Sequence, residues 1–281
     1  MKRILITGAN SYIGTSFENY LKQWPDEYRV DTIDMIDGSW KEKSFSGYDT
    51  VFHVAGIAHI KETKKNSHLY FEINRNLAIE TAKKAKADGV RQFIFLSSMS
   101  VYGMETGVIT KETKPFPKSN YGKSKYQAEN EIVKLSHIEY KVAILRPPMV
   151  YGNGCKGNFQ SLVNVTRRFS VFPRYENKRS MIFIDNLSSF VKMTIDDNLS
   201  SVMFPQNDEY ACTDTIVLLI GKVIGKTIKF SKVLSPFIKV GIRFVPMIQK
   251  AFGSLIYMDT EDFNYSYCCT NFTESIQKSL K

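Results

Sequence analysis

Cysteine is scarce in this 281-residue chain, and the four present, Cys155, Cys212, Cys268 and Cys269, have neither zinc-ligand spacing nor the pattern of a disulfide framework. A metal centre is therefore not expected, and a reducing cytoplasm is the simplest home. Long hydrophobic runs are also lacking. The apolar stretch after Met1 is too short for the core of a secretion signal, and no uninterrupted run approaches a membrane span. The most apolar segment, Val233 to Met258, is broken by Lys239, Arg243 and Lys250, and it reads as the core of a small lobe rather than as a membrane contact. Internal repeats and low-complexity linkers are absent as well.

Acidic residues are outnumbered, 28 against 38 basic ones, for a formal charge of +10. Such a field concentrates anions near the protein. The basic residues are scattered, and the runs Lys61 to Lys65 and Lys83 to Lys86 read as solvated helix faces. Nucleic acid is not expected as a partner. A small molecule bearing phosphates suits the same charge.

What is present is an alternation. Short β-branched runs (Ile4 to Thr7, Val30 to Ile33, Thr50 to Val54, Gln92 to Leu96, Val142 to Leu145) are separated by helix-like runs at Ser16 to Gln23, Asn74 to Asp88 and Tyr121 to Leu135. This order argues for an α/β fold, a doubly wound parallel sheet covered by helices. Residues 1–150 are assigned to a dinucleotide-binding domain, with a returning strand near 180–190. Residues 151–281 are assigned mainly to a substrate-binding lobe, with helix-like stretches at Ile216 to Ile224 and Phe237 to Val245. Only fifteen residues separate Asp34 from Thr50, which predicts a sheet trimmed by one strand-helix unit.

The first strand runs into Gly8-Ala9-Asn10-Ser11-Tyr12-Ile13-Gly14 and then a helix. Such a turn delivers a helix N-terminus to a pyrophosphate, which backbone amides and the helix dipole hold. Ser11 stands where the middle glycine of the usual pattern would be, so a hydroxyl faces the phosphate. Asp34, twenty residues past Gly14, is placed to accept hydrogen bonds from an adenosine ribose, and Asp37 could sit by the adenine. No Arg or Lys follows until Lys41, which favours NAD over NADP. Alternatively, Asp34 is an ordinary strand-end carboxylate.

Tyr121 and Lys125 are four apart in a helix-like run and so share a face. A fixed ammonium beside a phenol lowers the phenol's pKa toward the range useful for proton transfer. The strand Gln92 to Leu96 runs out into Ser97-Ser98-Met99-Ser100, where a hydroxyl could bond a reacting oxygen.

Taken in order, Thr7-Gly8 to Gly14, His53-Val54-Ala55-Gly56, Asn74, Leu96 to Gly103, Tyr121 to Lys125 and Leu145 to Gly152 resemble the extended short-chain dehydrogenases, the NAD-dependent epimerase/dehydratase family. The resemblance covers residues 1 to about 190. It implies Tyr121 as proton donor or acceptor, Lys125 as its partner and a ribose ligand, and Ser98 as the hydroxyl beside the substrate oxygen. It implies that Gly8, Asn10 to Gly14, Ala55, Gly56, Asn74, Ser97 and Pro148 line the cofactor. It gives Arg179 and Asn158 to the diphosphate of a nucleotide-sugar substrate, and a homodimer through the helix of Tyr121.

Within the family, 4,6-dehydratases carry an Asp-Glu pair where this chain has Met99 and Ser100, which argues against water elimination. The usual Asn of the Arg-x-x-Asn segment is Met149. The run Arg146-Pro147-Pro148-Met149 is similar to that of reductases acting on UDP-linked 4-keto-6-deoxy amino sugars for surface polysaccharides, which places reduction ahead of UDP-sugar 4-epimerisation. Hydroxysteroid and flavonoid reductases stand third, and a redox sensor without catalysis is the reading from another class.

Overall fold

The structure is a computed structural model that describes residues 1–58, 62–63, 65–258 and 265–281. The chain forms two compact units that interleave along the sequence. The first takes residues 1–103, 114–147 and 187–205, and the second takes 104–113, 148–186 and 206–281.

The first unit is built on a parallel sheet. Its strands are β1 (Lys2–Thr7), β2 (Tyr28–Ile33), β3 (Thr50–His53), β4 (Gln92–Leu96), β5 (Lys141–Leu145) and the short edge strand β6 (Val202–Met203). Their order across the sheet is β2-β1-β3-β4-β5-β6, so among the described residues no strand lies outside β2, as the short spacing after Asp34 predicts. Strands buried on both faces read as near-continuous apolar runs. Phe93, Ile94 and Phe95 of β4 are all fully buried.

Three helices are relevant here: α1 (Tyr12–Leu21), α2 (Ala78–Ala87) and α3 (Asn120–Ile132). Ala82 and Ala85 of α2 and Ala128 of α3 join Leu5, Val51 and Phe93 in one core cluster, small side chains that allow close helix-to-sheet packing. Helix α1 begins four residues before the predicted Ser16, because Ser11 caps it by accepting from the Gly14 amide at 3.2 Å. Ahead of α2 the chain makes a π-helical stretch, Tyr70–Leu77, a rare geometry that often re-aims a side chain at a functional site.

Met181–Phe183 does not return to this sheet. It pairs in parallel with Met149–Tyr151 inside the second unit. The edge of β5 is already filled, since Val202 and Met203 pair with Ile144 and Leu145. Pro147 and Pro148 offer no amide to continue that ladder, so the chain leaves the sheet there.

In the second unit, the helices are Asn158–Arg168, Thr213–Val223, Ser235–Phe244, Pro246–Phe252 and Phe272–Lys278 among the described residues. Pro236, expected as a break, sits in the first turn of Ser235–Phe244, where proline is tolerated because that amide has no helical partner.

Candidate cofactor and catalytic site

In open parallel sheets ligands bind beyond the carboxyl ends of the strands, where the strand order reverses. Here the reversal falls between β1 and β3. Gly8 leaves β1 with φ +97°, and a Cβ there would come within 2.9 Å of the Ala55 backbone at the end of β3. Only glycine suits both the torsion and the approach. Asn10 follows with φ 63°, a left-handed conformation that asparagine tolerates. Behind the turn, Gly14 lies against Ile6 and Val54, each 3.1 Å from where its Cβ would be. Ser11 caps α1, and a hydroxyl that accepts one bond can still donate another outward.

The Asp34 carboxylate follows β2 at the surface, and its Oδ1 accepts from the Ile36 amide at 2.9 Å. No described residue bonds its Oδ2. Asp37 turns its carboxylate onto the Ser39 amide, and the Ser39 bonds hold it below the usual carboxylate range. The half-buried Gly8 turn and first turn of α1, the exposed Gly56 and the available Asp34 oxygen fit an extended dinucleotide.

Asn74 is fully buried and pins the loop after β3. Its Oδ1 accepts from the Ile57 amide at 2.8 Å, and its Nδ2 donates to the Ile57 carbonyl at 2.9 Å. A Cβ on Gly56 would fall 2.8 Å from Asn74 Oδ1 and 3.4 Å from Lys125 Nζ. Gly56→Ala is therefore expected to shift this loop and weaken NAD binding by about tenfold, the effect of about 1.4 kcal/mol of misfit. Titration calorimetry with NAD checks it, and unchanged affinity would contradict the loop's role.

Helix α3 is capped by Ser119, which accepts from the Gly122 amide at 3.1 Å, and Gly122 lies so close to the Ser100 carbonyl that a Cβ would reach 2.5 Å. That contact brings Tyr121 beside the Met99–Tyr102 turn, which Ser98 caps. Tyr70 meets Tyr121 edge-on with ring centroids 6.4 Å apart. Burial pushes the Tyr121 phenol above its ordinary pKa, and a hydrogen bond with the Ser98 side chain pulls it back. The expected lowering by Lys125 is not seen. The ammonium donates instead to the Leu96 carbonyl at 2.8 Å and lies 4.7 Å from the centre of the Phe95 ring. Burial brings Lys125 down to about 8, against an upward pull from Glu129.

Under the lysine lies a buried polar network that sequence reasoning missed. Glu129, one turn after Lys125, pairs with Arg146, whose Nη2 is 2.6 Å from Oε2. Arg146 also donates to the Tyr102 hydroxyl at 2.8 Å, and Ser97 donates to Glu129. Ser97, expected along the cofactor, thus bonds this carboxylate. Although burial opposes its charge, the Arg146 guanidinium is held above its ordinary pKa by Glu129. His53 is fully buried, its Nδ1 is 2.7 Å from the Thr7 hydroxyl, and burial with the nearby Lys125 charge holds its pKa down to about 3. It is neutral, so Lys125 is the only cation of this cluster that faces Asn74 and Gly56.

The remaining expected residues belong to the second unit. Pro148 precedes the strand Met149–Tyr151, and Asn158 opens the helix Asn158–Arg168. Arg179 is paired through its backbone with Ala211, and its Nη1 donates to the Gly253 carbonyl at 2.8 Å. Burial lowers its pKa, with Glu105 opposing.

Comparison with known proteins converges. Residues 4–169 match the model of the NAD dependent epimerase/dehydratase family. A UDP-glucose 4-epimerase of Vibrio cholerae is 32% identical over 219 residues, which take in 69% of this chain and 67% of that enzyme. N-acetyl-α-D-glucosaminyl-diphospho-ditrans,octacis-undecaprenol 4-epimerase of Escherichia coli O157:H7 is 27% identical, and the match spans 67% of this chain but only 62% of that enzyme. Among solved structures, UDP-glucuronic acid 4-epimerase from Bacillus cereus in complex with NAD aligns with a TM-score of 0.74 at 19% identity, covering 99% of this chain and 95% of that one. A dTDP-4-dehydrorhamnose reductase from Clostridium acetobutylicum aligns with a TM-score of 0.76 at 19% identity, covering 99% and 98%. At such identity the likeness is one of fold.

Proposed function

Because the chain belongs to the NAD-dependent epimerase/dehydratase family, we propose that it inverts the configuration at carbon 4 of a sugar carried on a diphosphate. The observation that carries this reading is the cluster of Ser98, Tyr121 and Lys125 with no carboxylate at Met99 or Ser100. One proton-transfer group supports exchange at a single carbinol oxygen and leaves nothing to eliminate water.

NAD held by these residues would supply the hydride acceptor and donor that the carbinol carbon needs. Tyr121 Oη takes the hydroxyl proton as the alcohol is oxidised and gives the same proton back on reduction. Ser98 Oγ donates to the reacting oxygen and holds it beside the phenol. The Lys125 ammonium offsets the charge of the phenolate. Asp34 holds the adenosine ribose, while Asn74 and Gly56 keep the cofactor wall in shape. Arg179, Asn158, Ser97 and Pro148 remain the candidates for further ligand contacts, and engaging a diphosphate would require Arg179 to give up the Gly253 carbonyl.

Epimerisation is placed first because the relatives with the stronger sequence match are 4-epimerases acting on a uridine-linked and a polyprenol-linked sugar, whereas the sequence motifs favour 4-ketoreduction. Reduction of a UDP-4-keto-6-deoxy amino sugar is the second reading, favoured by Met149 at the position where sugar-binding Asn is usual. The two separate in one assay series. Purified protein without added cofactor should interconvert UDP-glucose and UDP-galactose, or their N-acetyl forms or the polyprenyl-linked N-acetyl sugar. If it instead consumes NADH or NADPH with UDP-2-acetamido-2,6-dideoxy-4-hexulose and converts none of these, the reductase reading replaces the epimerase.

A further inference from the structure

We propose that the helix Ser235–Phe244 docks the protein on an anionic membrane surface, lying on it with its apolar face down. This inference stands apart from the reaction above. The segment was expected as lobe core, yet Val233 is 77% exposed, Phe237 70%, Val240 62% and Phe244 74%. Phe237, Val240 and Phe244 stand at helical spacings of three and four, so they share one face. The flank of that stripe is used internally: Gly241, four residues after Phe237, is buried, and a Cβ there would meet Ile248 of the next helix at 2.5 Å. Single exposed apolar residues are common on proteins, whereas an apolar stripe with two phenylalanines outward calls for a partner.

Charge selects the partner. Between Asp214 and Asp259 the chain has no carboxylate and seven Lys or Arg. Lys232, next to Val233, and Arg243, next to Phe244, are exposed, as is Lys250 of the following helix. A second copy meeting this face across a two-fold axis would set the same basic surface against itself, which is unfavourable. A bilayer with anionic headgroups takes both features at once: the rings enter the headgroup boundary and the cations meet the lipid charge. No helix among the described residues is long and apolar enough to cross a membrane, so the helix would lie on the surface.

The test is co-sedimentation of the full chain with vesicles of phosphatidylcholine alone or mixed equally with phosphatidylglycerol. Binding to the anionic vesicles should exceed binding to the neutral ones by on the order of tenfold and should fall with added salt. The double variant Phe237→Ser with Phe244→Ser should lose it by a similar factor while keeping the NAD affinity and circular dichroism of the parent. Arg243→Glu should weaken binding to anionic vesicles alone. Equal retention on both vesicle types, or none on either, overturns the proposal. So does a parent dimer in light scattering that the double variant dissociates without any vesicle binding, since the face would then belong to a second copy.

Discussion

Tyr121→Phe is expected to lower kcat by on the order of 10²- to 10⁴-fold, the usual contribution of a positioned proton-transfer group. The change deletes one oxygen and keeps the ring that Tyr70 meets edge-on, so the fold and the NAD affinity should hold. In the cluster as it stands, burial raises the phenol while Ser98 opposes it. Taking the substrate's proton requires the phenolate, and the cation that favours ionisation of Tyr121 is Lys125. With a pKa of about 8, Lys125 is charged at neutral pH and loses its proton as pH rises through 8. The parent enzyme should accordingly lose kcat on the alkaline side of that value, and the phenylalanine variant should show a flat, low profile. Turnover by the epimerisation assay, with NAD affinity by calorimetry, checks both. A variant that keeps parental turnover would remove Tyr121 from the chemistry and revive a cofactor-binding sensor.

Much of this cluster was legible because its signals are local. The helix spacing of Tyr121 and Lys125, the turn from Gly8 to Gly14 and the carboxylate of Asp34 each need a single strand-turn-helix to be understood. The trimmed sheet was legible for the same reason, since chain length between Asp34 and Thr50 bounds what can fit. What failed was long-range or short-lived in sequence. β6 has two residues, too few to show a period, so the sequence pattern points to Met181 for the sheet edge instead. The exposed face of Ser235–Phe244 has the same apolar pattern as a buried one, and pattern alone does not say which stripe finds a partner. The direction of the Tyr121 shift depended on where the Lys125 ammonium points, and a carbonyl at the end of β4 takes it.

Glu129 shows that limit and carries the second large effect. It lies four residues after Lys125, a visible spacing, but its partner Arg146 comes from β5's end and no local pattern joins them. Removing one member of a buried ion pair strands the other without water, at a cost of about 3–5 kcal/mol. Glu129→Ala should therefore unfold at markedly lower urea than the parent. Replacing both partners, Glu129→Met with Arg146→Met, leaves no orphaned charge and should recover most of that loss, because apolar isosteres of buried pairs are often neutral. The recovered variant then isolates an electrostatic effect. Glu129 is the group that pulls the Lys125 pKa upward against burial. Without it Lys125 should lose its proton at lower pH, moving the alkaline fall of kcat toward neutrality in a protein that is still folded. If the double variant is stable and its pH profile coincides with the parent's, Glu129 supports the fold alone. A displaced limb would make it the residue that keeps Lys125 charged where the phenol of Tyr121 needs it.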